Sequence, residues 1–400
     1  MRLYNSLTGT LDPVTPVDGT LRMYVCGVTP YDTTHLGHAL TYATFDVINR
    51  YFQYRGYNVR YIQNVTDIDD DILRKANELG EPWKELGERW TKVHQDSLAA
   101  LNVLPPEKYT LATEHIASMV EMIESLIARG HAYVAGPNVY FRVRSFAAYG
   151  ELSDLPYDVM LERLNETGDR TDDSNKEYPL DFVLWLGQKP GEPAWDSPWG
   201  LGRPGWHIEC SAMAIDQLGP TLDVHGGGAD LIFPHHENEI AQSESFTGKH
   251  PFTRTWVHNG MLRLGAEKMS KSLGNLVLAQ DLLERYSSDA IRLYLHREHY
   301  RDSFSFDEDK LEAAQRLADS LAIVAWLPGG SGDALDVEHL RDAFLRALED
   351  DLDMATAIET LRSLAEIITA AHEAHRDTYS AQAELRTLAG ILGLRLAAPD

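Results

Sequence analysis

Two histidines three residues apart flank a glycine in His35-Leu36-Gly37-His38. On a helix they share a face, and Gly37 would let a flat ligand approach the backbone. A helix N-terminus attracts anions, so a nucleotide phosphate resting there would take hydrogen bonds from the imidazoles. Read alone, the pair serves equally well as a helix cap or a surface pair. Far along the chain, Glu267-Lys268-Met269-Ser270-Lys271-Ser272-Leu273-Gly274-Asn275 sets two lysines beside two serines and a glycine. Mobile ammonium groups on Lys268 and Lys271 suit the charge that develops on pyrophosphate during adenylyl transfer. Without a partner motif the segment is a plain surface turn. The chain's two cysteines, Cys26 and Cys210, exclude a disulfide framework or a CxxC zinc knuckle. Either alone reads as a small buried hydrophobe. Together with His235 and Glu239, four apart on a helix opening near Pro234, they form a plausible tetrahedral zinc set of two thiolates, one imidazole and one carboxylate. Zinc in an amino-acid pocket has a physical use: a substrate thiol binds as thiolate, while serine's hydroxyl binds poorly and alanine not at all. Packing against one missing atom discriminates by only about 1–3 kcal/mol, so the metal would be a selectivity device.

These groups need a scaffold, and the hydrophobic pattern supplies one. Leu21 to Cys26 reads as a strand, and Leu36 to Tyr54 as a helix with Ala39, Ala43, Val47 and Phe52 near helical spacing. Val59 to Val65 alternates as a second strand, and a helix follows from Ile72 to Leu79. Strand, helix, strand, helix indicates an α/β fold with a doubly wound, Rossmann-like parallel sheet. Ligands of such sheets sit at the carboxyl ends of the strands, where Cys26, Asn64, Thr66 and Asp67 would lie. The expected division is 1–105 for the first half of the catalytic domain, 106–200 for an inserted connective region, and 201–250 for the second half with the zinc site. Residues 251–306 would carry the lysine-serine loop and 307–400 a helical bundle. The insertion holds a helix over Thr113–Arg129, a hairpin around Asn138–Val143, and a polar, lid-like loop from Glu166 to Tyr178 bearing Asp169, Asp172, Asp173 and Lys176. In the tail, Leu340, Phe344, Leu345, Leu348, Ala357, Ile358, Leu361, Leu364, Ile367 and Ile368 suit an antiparallel bundle. No internal repeat is present.

Four hundred residues allow two to three domains at about 150 residues each. A hydrophobic fraction of 44% with 24% charged residues excludes wholesale disorder. Thirty-six basic against sixty-one acidic residues give a net charge of −25, which excludes nucleic-acid binding through overall charge and leaves only a local basic patch. The start lacks a signal-peptide pattern, and no stretch reaches the about 18 apolar residues of a membrane span. A cytoplasmic protein without a membrane partner is expected.

A His-x-Gly-His after the first strand, paired with Lys-Met-Ser-Lys-Ser, resembles the paired signature of class I aminoacyl-tRNA synthetases. From Leu3 to about Arg301 the chain resembles the cysteinyl-tRNA synthetase family, in Met23-Tyr-Val-Cys-Gly27, Asn64-Val-Thr-Asp-Ile-Asp-Asp70, Pro179-Leu-Asp-Phe182 and Lys189-Pro-Gly-Glu-Pro193. The likeness continues through Gly202-Arg-Pro-Gly-Trp-His-Ile-Glu-Cys-Ser-Ala-Met213, His225-Gly-Gly-Gly228 and His258-Asn-Gly-Met261. The resemblance implies activation of L-cysteine by ATP with Mg2+ to cysteinyl-adenylate, then transfer to an acceptor. It implies Cys26, Cys210, His235 and Glu239 as ligands of one Zn2+ per chain. It further implies a pocket for cysteine and its adenylate at Gly27, Thr29, Thr66, Trp206, Gly228 and Asp230. ATP would be held by His35, Gly37, His38 and Lys271, with Lys268 assisting.

A second branch of the family, the short ligases that join cysteine to glucosaminyl-inositol in mycothiol synthesis, is similar in Gly27-Val-Thr-Pro-Tyr-Asp32, His35-Leu-Gly-His-Ala39, Thr41-Tyr-Ala-Thr-Phe-Asp46, Gly274-Asn-Leu-Val277 and Asp350-Asp-Leu-Asp353. The chain also stops near Leu392-Gly-Leu394, before the anticodon-binding module usual in the synthetases. Against that branch stands Phe233-Pro-His-His-Glu-Asn-Glu-Ile-Ala-Gln-Ser243, which has the synthetase form including Glu239. Every cell needs cysteinyl-tRNA and the zinc set is complete, so the expected acceptor is tRNA-Cys, with the amino-sugar amine as the alternative; a monomer is expected. Two readings of another kind are a non-catalytic, cysteine-sensing paralogue, which the intact signature loops oppose, and a zinc-free nucleotidyltransferase, which leaves both cysteines unexplained.

Overall fold

Side chains alternate across a strand, and along the first long strand this alternation decides how the molecule is layered. The computed structural model describes residues 1–32, 34–166, 171–265, the backbone of 267–268, and 276–398. Five strands, β1 (Thr20–Val28), β2 (Asn58–Val65), β3 (Lys108–Leu111), β4 (Leu222–Gly228) and β5 (Thr253–Asn259), form one sheet in the order β5-β4-β1-β2-β3. Every neighbouring pair is parallel. The helices that position the site are α1 (Leu36–Tyr54), α2 (Asp70–Leu79), α3 (Trp83–Ala100), α4 (Ile116–Ala128), α5 (Trp206–Leu218), α6 (Glu237–Thr247) and α7 (Ser288–Leu295). They are followed by the tail helices α8 (Glu308–Ala325), α9 (Glu338–Glu349), α10 (Met354–Glu373) and α11 (Tyr379–Ile391).

The strand register sets Trp256, His225, Tyr24 and Ile62 in one row across β5, β4, β1 and β2. Tyr24, Cys26, Ile62 and Trp256 belong to a core with Met119 and Ile123 of α4, Ile208 and Met213 of α5, and Ile240 of α6. The residues between them, Met23, Val25, Tyr61, Val224 and Val257, belong to a second core with Leu40, Ala43, Val47 and Ile48 of α1. That second core continues without a break into Leu321, Phe344, Leu348, Leu361, Leu364, Ile368 and Leu385 of the tail helices. The chain therefore adds β2 and β3 on one side of β1, then reverses to add β4 and β5 on the other. The switch point lies between β1 and β4, and the crevice above it is where a doubly wound sheet takes its ligand.

The helix expected over Leu36–Tyr54 has those bounds. The α/β class, the parallel sheet and the helical tail are as expected. Among the elements that went unread are α3 and β3, the latter inside the stretch expected to be connective. That stretch also forms three strands of an antiparallel sheet, Ala132–Ala135, Asn138–Phe141 and Phe182–Gly187, whose fourth strand, Gly202–Pro204, lies just beyond its expected end. Part of the polar loop is tied down: the Tyr140 hydroxyl donates to Asp173 (2.7 Å) and Arg142 to Glu177 (2.8 Å), while Asp169 lies outside the described residues.

Where the sheet layer meets the tail, the contact has a polar centre. Asp46 of α1, fully buried, accepts from Arg292 Nη2 of α7 (2.7 Å), Arg50 Nε (2.8 Å) and the Leu104 amide (2.9 Å). Arg292, also fully buried, donates to the Leu392 and Leu101 carbonyls (2.7 and 3.2 Å). Among the described residues, no helix is long and apolar enough to cross a membrane.

Candidate functional site

The carboxyl end of β1 turns at Gly27, whose amide donates to Asn64 Oδ1 (2.7 Å). A Cβ at this position would stand 1.6 Å from the Asn64 carbonyl oxygen, so only glycine lets β1 and β2 close together here. Beyond the turn, His35 caps α1: its Nδ1 accepts from the amides of Gly37 (3.1 Å) and His38 (3.4 Å). The two imidazoles stack at 3.7 Å. A Cβ on Gly37 would meet the His35 ring at 2.9 Å, so the flat group lying against Gly37 in this structure is His35 itself. Behind them, buried His94 of α3 hydrogen-bonds Thr34 Oγ1 (2.9 Å) and Gln63 Nε2 (3.2 Å) and packs edge-on against Tyr42. The sequence reading missed His94; it is the polar member of an otherwise weakly apolar helix face and gives no motif.

A cavity of about 750 Å³ opens above this turn, lined by Cys26, Gly27, Thr29, His35, Gly37, His38, Gly228 and Asp230, with Arg74 and Lys75 of α2 also on its wall. It brings together the residues expected for nucleotide and adenylate. Thr66, Trp206, Cys210, His235 and Glu239 are not on that wall. Lys271 lies outside the described residues, as does the Lys268 side chain. The flanks of their segment are placed: Lys268 pairs with Arg263 in a short antiparallel ladder, and Leu36 donates to the Val277 carbonyl (2.8 Å) beside His35.

Behind Cys26, which is 5% exposed, lie Cys210, His235 and Glu239, at 1% or less. Cys26 Sγ is 3.9 Å from Cys210 Sγ and 3.6 Å from Glu239 Oε1, and His235 Nε2 is 3.1 Å from the same oxygen. Tetrahedral zinc with ordinary bond lengths needs edges of about 3.8 Å between sulfurs, about 3.5 Å from sulfur to oxygen and about 3.3 Å from nitrogen to oxygen. The donor set fits zinc in type and spacing. His235 is not on the regular helix that the sequence suggested. It belongs to a wide turn, Ile232–His236, in which Phe233 is extended, and α6 begins at Glu237. The turn still delivers His235 onto Glu239.

The same turn delivers a second histidine. His236 Nε2 lies 3.2 Å from Cys26 Sγ, and Cys26, His225, His236 and Glu239 form an overlapping quartet. Around these runs a chain of imidazoles: His225 Nε2 to Glu239 Oε2 (2.9 Å), His236 Nδ1 to His258 Nε2 (2.7 Å), His258 Nδ1 to Ser6 Oγ (2.7 Å), and His207 Nδ1 to His235 Nδ1 (2.9 Å). Burial favours the neutral form of His207, His235, His236 and His258. It pulls His207 and His258 down to about 3 and holds His235 and His236 well below their ordinary range. Burial also pushes the Cys26 thiol well above its usual value and Cys210 upward. Buried thiols of this kind stay protonated until a cation draws them out as thiolates. His207, His225, His236 and His258 lie in segments that carry the family resemblance, yet their residue types and spacing alone gave none of the four a role. The signal was present in His225-Gly-Gly-Gly228 and His258-Asn-Gly-Met261.

Trp206, at the start of α5, stacks on His235 at 4.2 Å. Thr66 accepts from Asn64 Nδ2 (3.3 Å), joining it to the Gly27 turn. Glu237 accepts from the amides of Gly150 (2.7 Å) and Ser153 (2.9 Å), and the Tyr149 hydroxyl donates to Asn238 (2.6 Å). The connective region is thereby pinned to the helix that bears Glu239.

Comparison with known proteins agrees with this geometry. Over 94% of its length the chain superimposes on a methionyl-tRNA synthetase of Mycobacterium tuberculosis, covering 90% of that protein, with a TM-score of 0.65 at 18% identity, a likeness of fold. A cysteine–tRNA ligase of Dehalococcoides mccartyi is 47% identical over 401 residues, 99% of this chain and 86% of that protein. Another, from Pseudomonas aeruginosa, is 45% identical over 405 residues, 100% of this chain and 86% of that protein. The family model for the catalytic domain of class I (C) tRNA synthetases matches residues 13–316, a span that runs from ahead of β1 into α8. A match over that span, with relatives 45–47% identical along nearly the whole chain, shows that the chain belongs to this family of class I synthetases.

Proposed function

We propose that the protein is a cysteine–tRNA ligase: it activates L-cysteine with ATP and transfers it to the 3′ end of tRNA-Cys. The observation that carries the amino-acid assignment is the buried quartet Cys26, Cys210, His235 and Glu239, with Cys26 on the wall of the crevice whose far side is the His35–His38 pair. Relatives at 44–47% identity that are cysteine–tRNA ligases support the acceptor. The amino-sugar acceptor draws no support from them.

In this reading the quartet holds Zn2+, which would supply a Lewis acid that accepts the substrate's thiol as thiolate and rejects a hydroxyl. The His235 set is preferred to the His236 set because it uses both cysteines. Trp206 and Thr66 shape the cysteine pocket, with Gly27, Thr29, Gly228 and Asp230 around the adenylate. The α1 N-terminus and the imidazoles of His35 and His38 hold the phosphates of ATP, supplied with Mg2+, while Lys268 and Lys271 stabilise the departing pyrophosphate. The cysteine carboxylate attacks the α-phosphorus in line and pyrophosphate leaves. A ribose hydroxyl of the tRNA then attacks the carbonyl carbon, and AMP leaves. Apart from β3 and α4, which belong to the sheet layer, residues 106–200 act as the connective region and 307–400 as the supporting bundle, and the working form is a monomer. The test is cysteine-dependent exchange of labelled pyrophosphate into ATP by zinc-loaded protein, followed by charging of a tRNA-Cys transcript beside glucosaminyl-inositol. No exchange ends the activation reading, and exchange with amide formation but no charging reverses the acceptor.

A further inference from the structure

Thr34, His35 and Leu36 form a short strap between the crevice and the segment that returns from the lysine-serine turn. The Leu36 amide donates to the Val277 carbonyl (2.8 Å), the Ala279 amide to the Thr34 carbonyl (3.4 Å), and His35 bridges Leu278 in antiparallel fashion. His35 itself lines the crevice and caps α1. The Thr34 side chain is buried instead, and its Oγ1 lies 2.9 Å from Nδ1 of His94, which is also buried. Through its other nitrogen His94 meets Gln63 Nε2 of β2 (3.2 Å), and Gln63 Oε1 accepts from the Tyr61 hydroxyl (3.0 Å). These contacts set a direction. The Tyr61 proton needs an acceptor, and Gln63 Oε1 supplies it. The Gln63 amide then donates to His94 Nε2, and a neutral imidazole that accepts there carries its proton on Nδ1. The proton therefore points at the Thr34 hydroxyl.

We propose that His94 is a positioning residue for adenylate formation. By donating from Nδ1 to Thr34 it fixes the strap against the sheet, and with it the His35 cap and the segment 277–279 that leads out of the lysine-serine turn. This rests on the reading of His35, His38, Lys268 and Lys271 as the groups that hold ATP and pyrophosphate. A strap displaced by about 1 Å would misalign the two signature segments, and a misplacement of that size costs about 100-fold in rate.

Asparagine places its amide nitrogen where Nδ1 of a histidine stands, and glutamine places its own where Nε2 stands. His94→Asn therefore keeps the donor to Thr34, whereas His94→Gln, the larger replacement, does not. In cysteine-dependent pyrophosphate exchange, His94→Asn should keep kcat within about threefold of wild type, while His94→Gln and His94→Ala should lose about 10- to 100-fold. Thr34→Val, which removes the hydroxyl and keeps the shape, should lose as much as His94→Gln, and combining the two should add nothing further. Thr34→Ser should stay near wild type. The KM for cysteine and the zinc content should hold throughout, since neither residue belongs to the proposed quartet. Hydrogen exchange should show the Leu36 and Ala279 amides faster in His94→Gln and His94→Ala than in His94→Asn. A histidine that only fills space would give the opposite order, with kcat falling in step with the melting temperature. Asparagine no better than glutamine in kcat and amide exchange, or wild-type kcat in Thr34→Val, would overturn the proposal. A wild type without cysteine-dependent exchange would instead overturn the functional reading, and the order of amide exchange would still decide whether His94 holds the strap.

Discussion

Replacing Asp46 by alanine is expected to cost the fold about 4 kcal/mol, although Asp46 touches no part of the crevice. Both Asp46 and Arg292 have no exposed side-chain surface. Removing one partner of a buried pair costs about 3–5 kcal/mol, because the other charge stays desolvated and uncompensated. Arg292 would keep its two carbonyl acceptors at Leu392 and Leu101, which places its share near the low end, about 3 kcal/mol. The Leu104 amide would lose its acceptor, adding about 1 kcal/mol. At about 2–4 °C per kcal/mol, thermal unfolding should start about 8–16 °C lower. The double variant Asp46→Ala with Arg292→Met removes the stranded guanidinium and should recover at least half of the loss, since a buried pair replaced by apolar groups is often neutral. Differential scanning calorimetry of the three proteins decides it. A shift below about 3 °C for Asp46→Ala, or a double variant less stable than the single one, would show that the pair is not the joint between sheet and tail.

Gly27→Ala should lower the melting temperature by more than a typical overpacking substitution of about 1–3 kcal/mol, because the collision is with backbone that cannot rotate away; a melt within about 2 °C of wild type counts against it. Cys210→Ala should bring zinc, measured by atomic emission, from about one per chain to near zero and abolish cysteine-dependent exchange; full zinc occupancy would remove Cys210 from the ligand set. Histidine ring resonances of metal-free protein should separate two classes. Those of His207 and His258, pulled down to about 3 by burial, should not move between pH 8 and pH 5. The resonance of exposed His250, which the Glu244 hydrogen bond raises, should titrate above the ordinary histidine range. Midpoints near 6.5 for His207 or His258 would mean that the imidazole chain is open to water.

Much of the fold was legible because it follows local patterning: β1 and β2 are apolar-rich runs whose later residues are buried, and α1 is apolar enough to be buried over most of its length. Helix α3 escaped because its buried face holds Leu86 and Leu98 alongside Gly87, His94 and Ser97, a face too polar to register as an apolar stripe. Strand β3 is four residues long, with Lys108 at its start and a sole fully buried position at Thr110, so it carries no pattern of its own. The grouping of Cys26, Cys210, His235 and Glu239 was legible because thiols are rare and chemically distinct. The imidazoles around it were not, since a neutral buried histidine differs from a packing residue only through its neighbours, and those neighbours are set by register. His225 meets Tyr24 and Trp256 because three parallel strands align them. The Asp46–Arg292 joint was beyond reach for the same reason: its partners are 246 positions apart.

The layering of the sheet explains how two chemistries meet at one strand end. Odd and even positions of β1 belong to different cores, one under α5 and α6 and one under α1. Tyr24 and Cys26 are on the first side, where thiols, carboxylate and neutral imidazoles are kept from water. One residue later the chain passes Gly27, and by His35 it has begun the helix on the other side, where the His35 and His38 imidazoles line the crevice. In the function proposed above, a ligand that spans the switch point would offer a soft donor to one face and a phosphate-linked group to the other. Cysteine bearing an adenylate at its carboxyl group has that polarity. Serine and a free nucleotide would each lack the soft donor, so the proposed selection would follow from the side on which each residue of β1 emerges.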